Sequence, residues 1–62
     1  MPFVHVELLE GKTLEQKREM AKGITDVIVK AGGVNPDSVY VIFKDLAKTE
    51  LAKAGQLIAD KQ

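Results

Sequence analysis

Cysteine and tryptophan are both absent from this 62-residue sequence, and His5 is its only histidine. The first absence excludes disulfides and thiolate metal sites, and a single histidine cannot build a histidine metal cluster. Charge of one sign is also missing, since nine Lys and Arg balance nine Asp and Glu. The chain therefore lacks the positive footprint that a phosphate backbone or an anionic membrane requires, and neither nucleic acid nor membrane is an expected partner. The longest unbroken apolar run, Val39 to Phe43, falls far short of the roughly 20 residues of a membrane-spanning helix. The opening MPFVHVELLEG has no basic region of the kind that starts a secretion signal, so a reducing, cytoplasmic setting is the expectation.

What is present suits a folded protein: 45% hydrophobic and 29% charged residues, with five glycines and two prolines. Residues 1–62 are expected to form a single domain. A chain this short buries only about 60% of the surface it exposes when unfolded. Below roughly 70 to 80 residues, natural chains commonly add disulfides, a metal or a partner subunit. With the first two excluded, self-association is the support that remains.

Val4, Val6 and Leu8 alternate with His5, Glu7 and Leu9 after an extended Pro2-Phe3 start, which is the period of a half-buried strand ended by Gly11. Thr13 followed three residues later by Gln16 is a capping-box signature. From Leu14 onward Met20, Ala21, Ile24, Val27, Ile28 and Ala31 recur at helical spacing, so an amphipathic helix of four to five turns is expected. Gly32-Gly33 can close it, and Asn35-Pro36-Asp37 makes a turn. Ser38 to Phe43 reads as a second strand with Val39, Val41 and Phe43 on one face, Tyr40 and Ile42 on the other, and both faces covered. Strand, helix and strand predict an α/β fold: a βαβ unit with parallel strands and a right-handed crossover. Two strands and one helix leave a sheet face and both edges bare, which calls for pairing with another copy. The tail after Leu46 is expected to be irregular, with a short hairpin that packs on a neighbouring subunit.

Pro2 is the residue with the most distinctive chemistry. A small second residue lets the initiator methionine be removed, which would expose a secondary amine. Such an amine can take up and return a proton, and an apolar surround lowers its pKa below the roughly 7.7 to 8 of an ordinary α-amino group. Proline at position two also suits the plain start of an extended strand. His5 reads as a hydrogen-bonded structural histidine, Met20 as helix packing, and Lys44, Lys48 and Lys53 as solvated surface. Glu15, Arg18, Glu19, Lys22, Asp26 and Lys30 form helix-spaced charges on a solvated face.

Pro2, the strand FVHVELLEG, the Leu9 to Lys17 segment, the ITDVI helix, the Ser38 to Phe43 strand and the Gly55-containing tail together resemble the 4-oxalocrotonate tautomerase family. The resemblance spans the whole chain. It implies the tautomerase fold, dimers with a four-stranded sheet and usually a homohexamer built as a trimer of dimers. It also implies an isomerase with no metal and no organic cofactor, acting on small-molecule enol or keto carboxylates. In that family the freed proline is the general base that moves a proton between the enol oxygen and a carbon of a 2-hydroxydienoate, and Pro2 matches it. The arginine that binds a substrate carboxylate after the LEG segment is replaced by Lys12, which keeps the charge and loses the planar fork. The second arginine falls at Tyr40, where a phenol donates one hydrogen bond and adds no positive charge. The aromatic wall near the proline falls at Leu51.

These substitutions leave proton transfer in place and turn preference toward smaller or monocarboxylate enols. The expected site combines one chain's amino terminus with Tyr40 and Leu51 of its neighbours. A subunit that keeps fold and assembly but has lost catalysis is the alternative reading of the same substitutions.

Overall fold

A computed structural model describes residues 1–61. The alternating segment forms β1, Phe3–Leu9, whose Val4, Val6 and Leu8 are half-buried while Phe3, His5, Glu7 and Leu9 are exposed. Beyond it, Gly11 takes φ 116°, a backbone angle that side chains rarely tolerate. Helix α1, Leu14–Gly32, starts on the capping box read from the sequence. Gln16 N–H donates to Thr13 Oγ1 at 3.1 Å, and Thr13 N–H donates to Gln16 Oε1 at 2.8 Å. Gly33 closes the helix at φ 64°, its N–H donating to the Val29 carbonyl. Thr13→Ala is expected to cost about 1 kcal/mol. Thermal unfolding at fixed protein concentration reads this, and an unchanged midpoint would show that the cap carries no stability.

The packed face of α1 is made by Lys17, Met20, Ala21, Ile24, Thr25, Ile28 and Val29, all half-buried. Leu14 and Val27, counted with the apolar stripe in the sequence, instead stand 64% exposed on its flanks. Lys17 takes a place on that face because its hydrocarbon stem can pack while its ammonium reaches a carboxylate. Its Nζ lies 2.7 Å from Asp45 Oδ2. The outer face carries the expected exposed ion pairs, Arg18 with Glu15 and Lys22 with Asp26.

Strand β2, Tyr40–Leu46, lies parallel to β1 in the register Phe3↔Tyr40 through Leu9↔Leu46, with α1 as the crossover. It begins two residues later than the expected Ser38 start and runs three residues past Phe43. The shift at the start has a local cause. Asn35 Oδ1 accepts from Asp37 N–H at 2.9 Å, and Ser38 Oγ donates to the Asn35 carbonyl at 2.7 Å, which draws Pro36–Ser38 into a 3₁₀ turn. The extension at the end comes from pairing, since Lys44, Asp45 and Leu46 meet Glu7, Leu8 and Leu9. Val41 and Phe43 are half-buried, whereas Tyr40 and Ile42 on the opposite face are each 43% exposed. Only one of the two faces expected to be covered is covered within a single chain.

After a 3₁₀ turn at Lys48–Glu50, β3, Ala52–Lys53, pairs antiparallel with β4, Gln56–Leu57. Ala54 and Gly55 join them at φ 53° and 82°, the two successive positive angles of a tight hairpin turn. A last 3₁₀ turn, Ile58–Asp60, packs back on the Lys48–Glu50 turn. The tail thus contains the expected hairpin.

None of the described residues is buried. The chain exposes 4920 Å², against about 4,000 Å² for a self-contained globule of its mass. Its radius of gyration is 14.7 Å, against about 11 Å for a compact domain of this length. The surplus area is close to the roughly 800 Å² that one partner contributes to a standard interface. Among the described residues no helix is long and apolar enough to cross a membrane.

Candidate active site

The parallel register places the amino terminus at one end of the sheet. There the Tyr40 N–H donates to the Pro2 carbonyl at 3.0 Å, which holds the proline against the first residue of β2. Pro2 is half-exposed, and Met1 ahead of it is 78% exposed. Phe3 and Tyr40, partners in register, stack with ring centroids 5.0 Å apart and planes 13° from parallel. Tyr40 of the same chain thus adjoins Pro2 through its backbone. The stack is the feature that inspection of the sequence missed. Its signal was available only once the strands were known to pair Phe3 with Tyr40, because the two aromatics are far apart in sequence.

Lys12 lies at the other end of the sheet. The seven residues of β1 separate it from Pro2 by about 20 Å at the usual rise of a strand. It lines a groove of about 360 Å³ with Gln16, Glu19 and Met20 on the first turns of α1. The capping box already occupies the amides of Thr13 and Gln16, which leaves the lysine ammonium as the group there suited to an anion. Leu51 follows the far end of β2, half-buried, with its carbonyl accepting from Ile58 N–H at 2.8 Å. One chain thus joins Pro2 with Tyr40 and does not join either of them with Lys12 or Leu51.

Along the open face of the sheet the register pairs change character. Phe3 and Tyr40 are followed by His5 beside Ile42, then by Glu7 beside Lys44. His5 is exposed and makes no side-chain hydrogen bond among the described residues, unlike the hydrogen-bonded histidine expected. No three metal-ligating side chains come together among the described residues.

Pro2 thus stands at the end of a parallel βαβ sheet with its carbonyl held by the Tyr40 N–H. Comparison with known proteins gives this arrangement its class. The sequence model described as tautomerase enzyme matches residues 2–61, so the chain is an isomerase. It belongs to the tautomerase family. It is 47% identical over 57 residues to a probable tautomerase of Lactococcus lactis, covering 92% of this chain and 93% of that protein. A 2-hydroxymuconate tautomerase of Bacillus subtilis is 32% identical over 62 residues, the full length of both. Among solved structures, a 4-oxalocrotonate tautomerase homologue superposes with a TM-score of 0.95 at 32% identity, covering 100% of this chain and 98% of that one. A heterohexameric 4-oxalocrotonate tautomerase of Chloroflexus aurantiacus gives 0.93 at 26% identity over 100% of both chains.

Proposed function

We propose that this chain is a cofactor-independent keto–enol tautomerase of 2-hydroxydienoates or related enol carboxylates, with Pro2 as general base once Met1 is removed. The observation that carries the reading is the placement of Pro2, half-exposed at the sheet end with its carbonyl fixed to the Tyr40 amide. That hydrogen bond leaves the nitrogen free and sets its direction. While Met1 is attached, the nitrogen is a tertiary amide and cannot accept a proton. Once freed, it takes the enol hydroxyl proton as the carbonyl forms and returns a proton to the substrate carbon. Tyr40 donates a hydrogen bond to the developing oxygen, and Lys12 binds the carboxylate.

The separation of Lys12 and Leu51 from Pro2 makes assembly part of this function. We propose a homo-oligomer in which neighbouring chains bring Lys12 and Leu51 to each amino terminus, as a dimer with a continuous four-stranded sheet or a hexamer of three such dimers. The bare Tyr40 and Ile42 face and the surplus surface of the isolated chain support it. Intact-mass measurement of natively produced protein is expected to show a chain lighter by one methionine. Finding Met1 fully retained would sink the mechanism.

A further inference from the structure

We infer that Lys17 and Asp45 are positioning residues for Lys12: their ion pair fixes the first turn of α1 over the end of β2 and so sets where the Lys12 ammonium meets a substrate carboxylate. The inference rests on Lys12 being the carboxylate-binding residue and adds the two residues that hold it in place. Lys12 belongs to the short connection from Glu10 to Thr13 between β1 and α1. Each end of this connection is bonded to a different element. Glu10 N–H donates to the Leu46 carbonyl at 2.9 Å, at the end of β2, and the Thr13 carbonyl accepts from Lys17 N–H at 3.1 Å, in the first turn of α1. The course of the connection therefore depends on how that turn sits against β2.

Lys17 and Asp45 govern that relation. On β2 the half-buried Val41 and Phe43 share a face, and the next residue on it is Asp45. The packed face of α1 likewise begins at Lys17, before Met20, Ala21 and Ile24. At this end of the helix–sheet contact an ion pair thus stands where apolar side chains stand further along. Lys17 Nζ lies 2.7 Å from Asp45 Oδ2, with the two side chains 25% and 44% exposed. Among the described residues it is the only side-chain hydrogen bond that joins two elements, since the others link residues two to four positions apart. A pair this open to solvent adds little stability, and apolar contact alone would hold helix to sheet without choosing a direction. What the pair supplies is a directed bond between one atom of α1 and one of β2.

The test uses the assembled, Met1-free protein with 2-hydroxymuconate, and reads initial rates by absorbance and the Lys12 amide by nuclear magnetic resonance. Asp45→Asn and Lys17→Met are each expected to raise KM by about three- to tenfold, inside the roughly 10²-fold that a misplacement of 1 Å can cost. The kcat should change little, because a carboxylate held equally before and during the reaction counts in KM. Asp45→Asn removes a negative charge and Lys17→Met a positive one, so an effect through net charge would move KM in opposite directions, whereas loss of position raises it in both. Asp45→Glu, which keeps the pair, should stay close to wild type, as should Asp26→Asn, which opens the Lys22–Asp26 pair on the outer face. The Lys12 amide resonance should move in Asp45→Asn and stay in place in Asp26→Asn. Where Lys12→Gln raises KM, a KM that is unchanged or lowered in Asp45→Asn overturns the positioning role. Where Lys12→Gln leaves KM as it was, or the protein does not turn over, the carboxylate-binding reading fails instead. The Lys12 amide then decides, and a resonance unmoved in Asp45→Asn overturns the pair's hold on that residue. If Lys17→Met does not assemble, Asp45→Asn, which matches the native side chain in size, decides alone.

Discussion

Pro2→Ala in the Met1-free protein is expected to lower kcat/KM for ketonisation by about 10²-fold, and an uncleavable residue ahead of Pro2 by up to about 10⁴-fold, the range that a positioned acid–base group supplies. The two changes remove different things. Alanine leaves a primary amine, which still holds a lone pair but is largely protonated near neutral pH, at the roughly 7.7 to 8 of an ordinary α-amino group. It also loses the ring that fixes the direction of the nitrogen. An uncleavable residue turns that nitrogen into an amide and removes the base outright, while the Tyr40–Pro2 backbone hydrogen bond and the register of β1 stay as they are. Initial rates by absorbance, with assembly size checked by light scattering, read both. Equal rates for wild type and Pro2→Ala would move the chain to the reading in which fold and assembly persist without proline catalysis.

Tyr40→Arg is expected to raise kcat/KM for the dicarboxylate 2-hydroxymuconate relative to a monocarboxylate enol by about tenfold to a hundredfold, somewhat less than the roughly 10²- to 10³-fold of a single well-placed oxyanion donor, because the tyrosine hydroxyl it replaces is itself a donor. The guanidinium adds a positive charge beside Pro2, and its planar fork suits a carboxylate. It can also lie over the Phe3 ring, so the neighbouring packing survives the exchange. An unchanged ratio between the two substrates would mean that Tyr40 does not face the substrate.

Much of the fold could be read from the sequence because its signals are local. The alternation of Val4, Val6 and Leu8, the Thr13–Gln16 cap and the Gly33 closure each involve residues within a few positions of one another, and all three are present. The limits of β2 were not readable in this way. Its start depends on two side-chain hydrogen bonds around Asn35, and its end depends on what β1 offers to pair with. Lys17 pairs with Asp45 across two different elements, a contact that no local pattern shows. For the candidate site, the sequence picked out Pro2 and Tyr40, which the parallel register joins. It also picked out Lys12 and Leu51, which a single chain holds apart. The Phe3–Tyr40 stack is a consequence of register, which no local pattern encodes.

The doubly closed α1 also has a bearing on how the protein comes to exist. Its 19 residues are bonded at both ends by groups no more than four positions apart, which exceeds the roughly 12 to 15 residues below which an isolated helix is marginal. The sheet, by contrast, must bring Phe3 to Tyr40 and close most of the chain into a loop. Contacts of low sequence separation cost the least chain entropy, so the helix is expected to form ahead of strand pairing, and in the proposed homo-oligomer docking of chains is expected last. In that assembly a newly made chain would wait for its partners as a helix with two unsettled strands, and the time spent waiting would lengthen as the chains become scarcer.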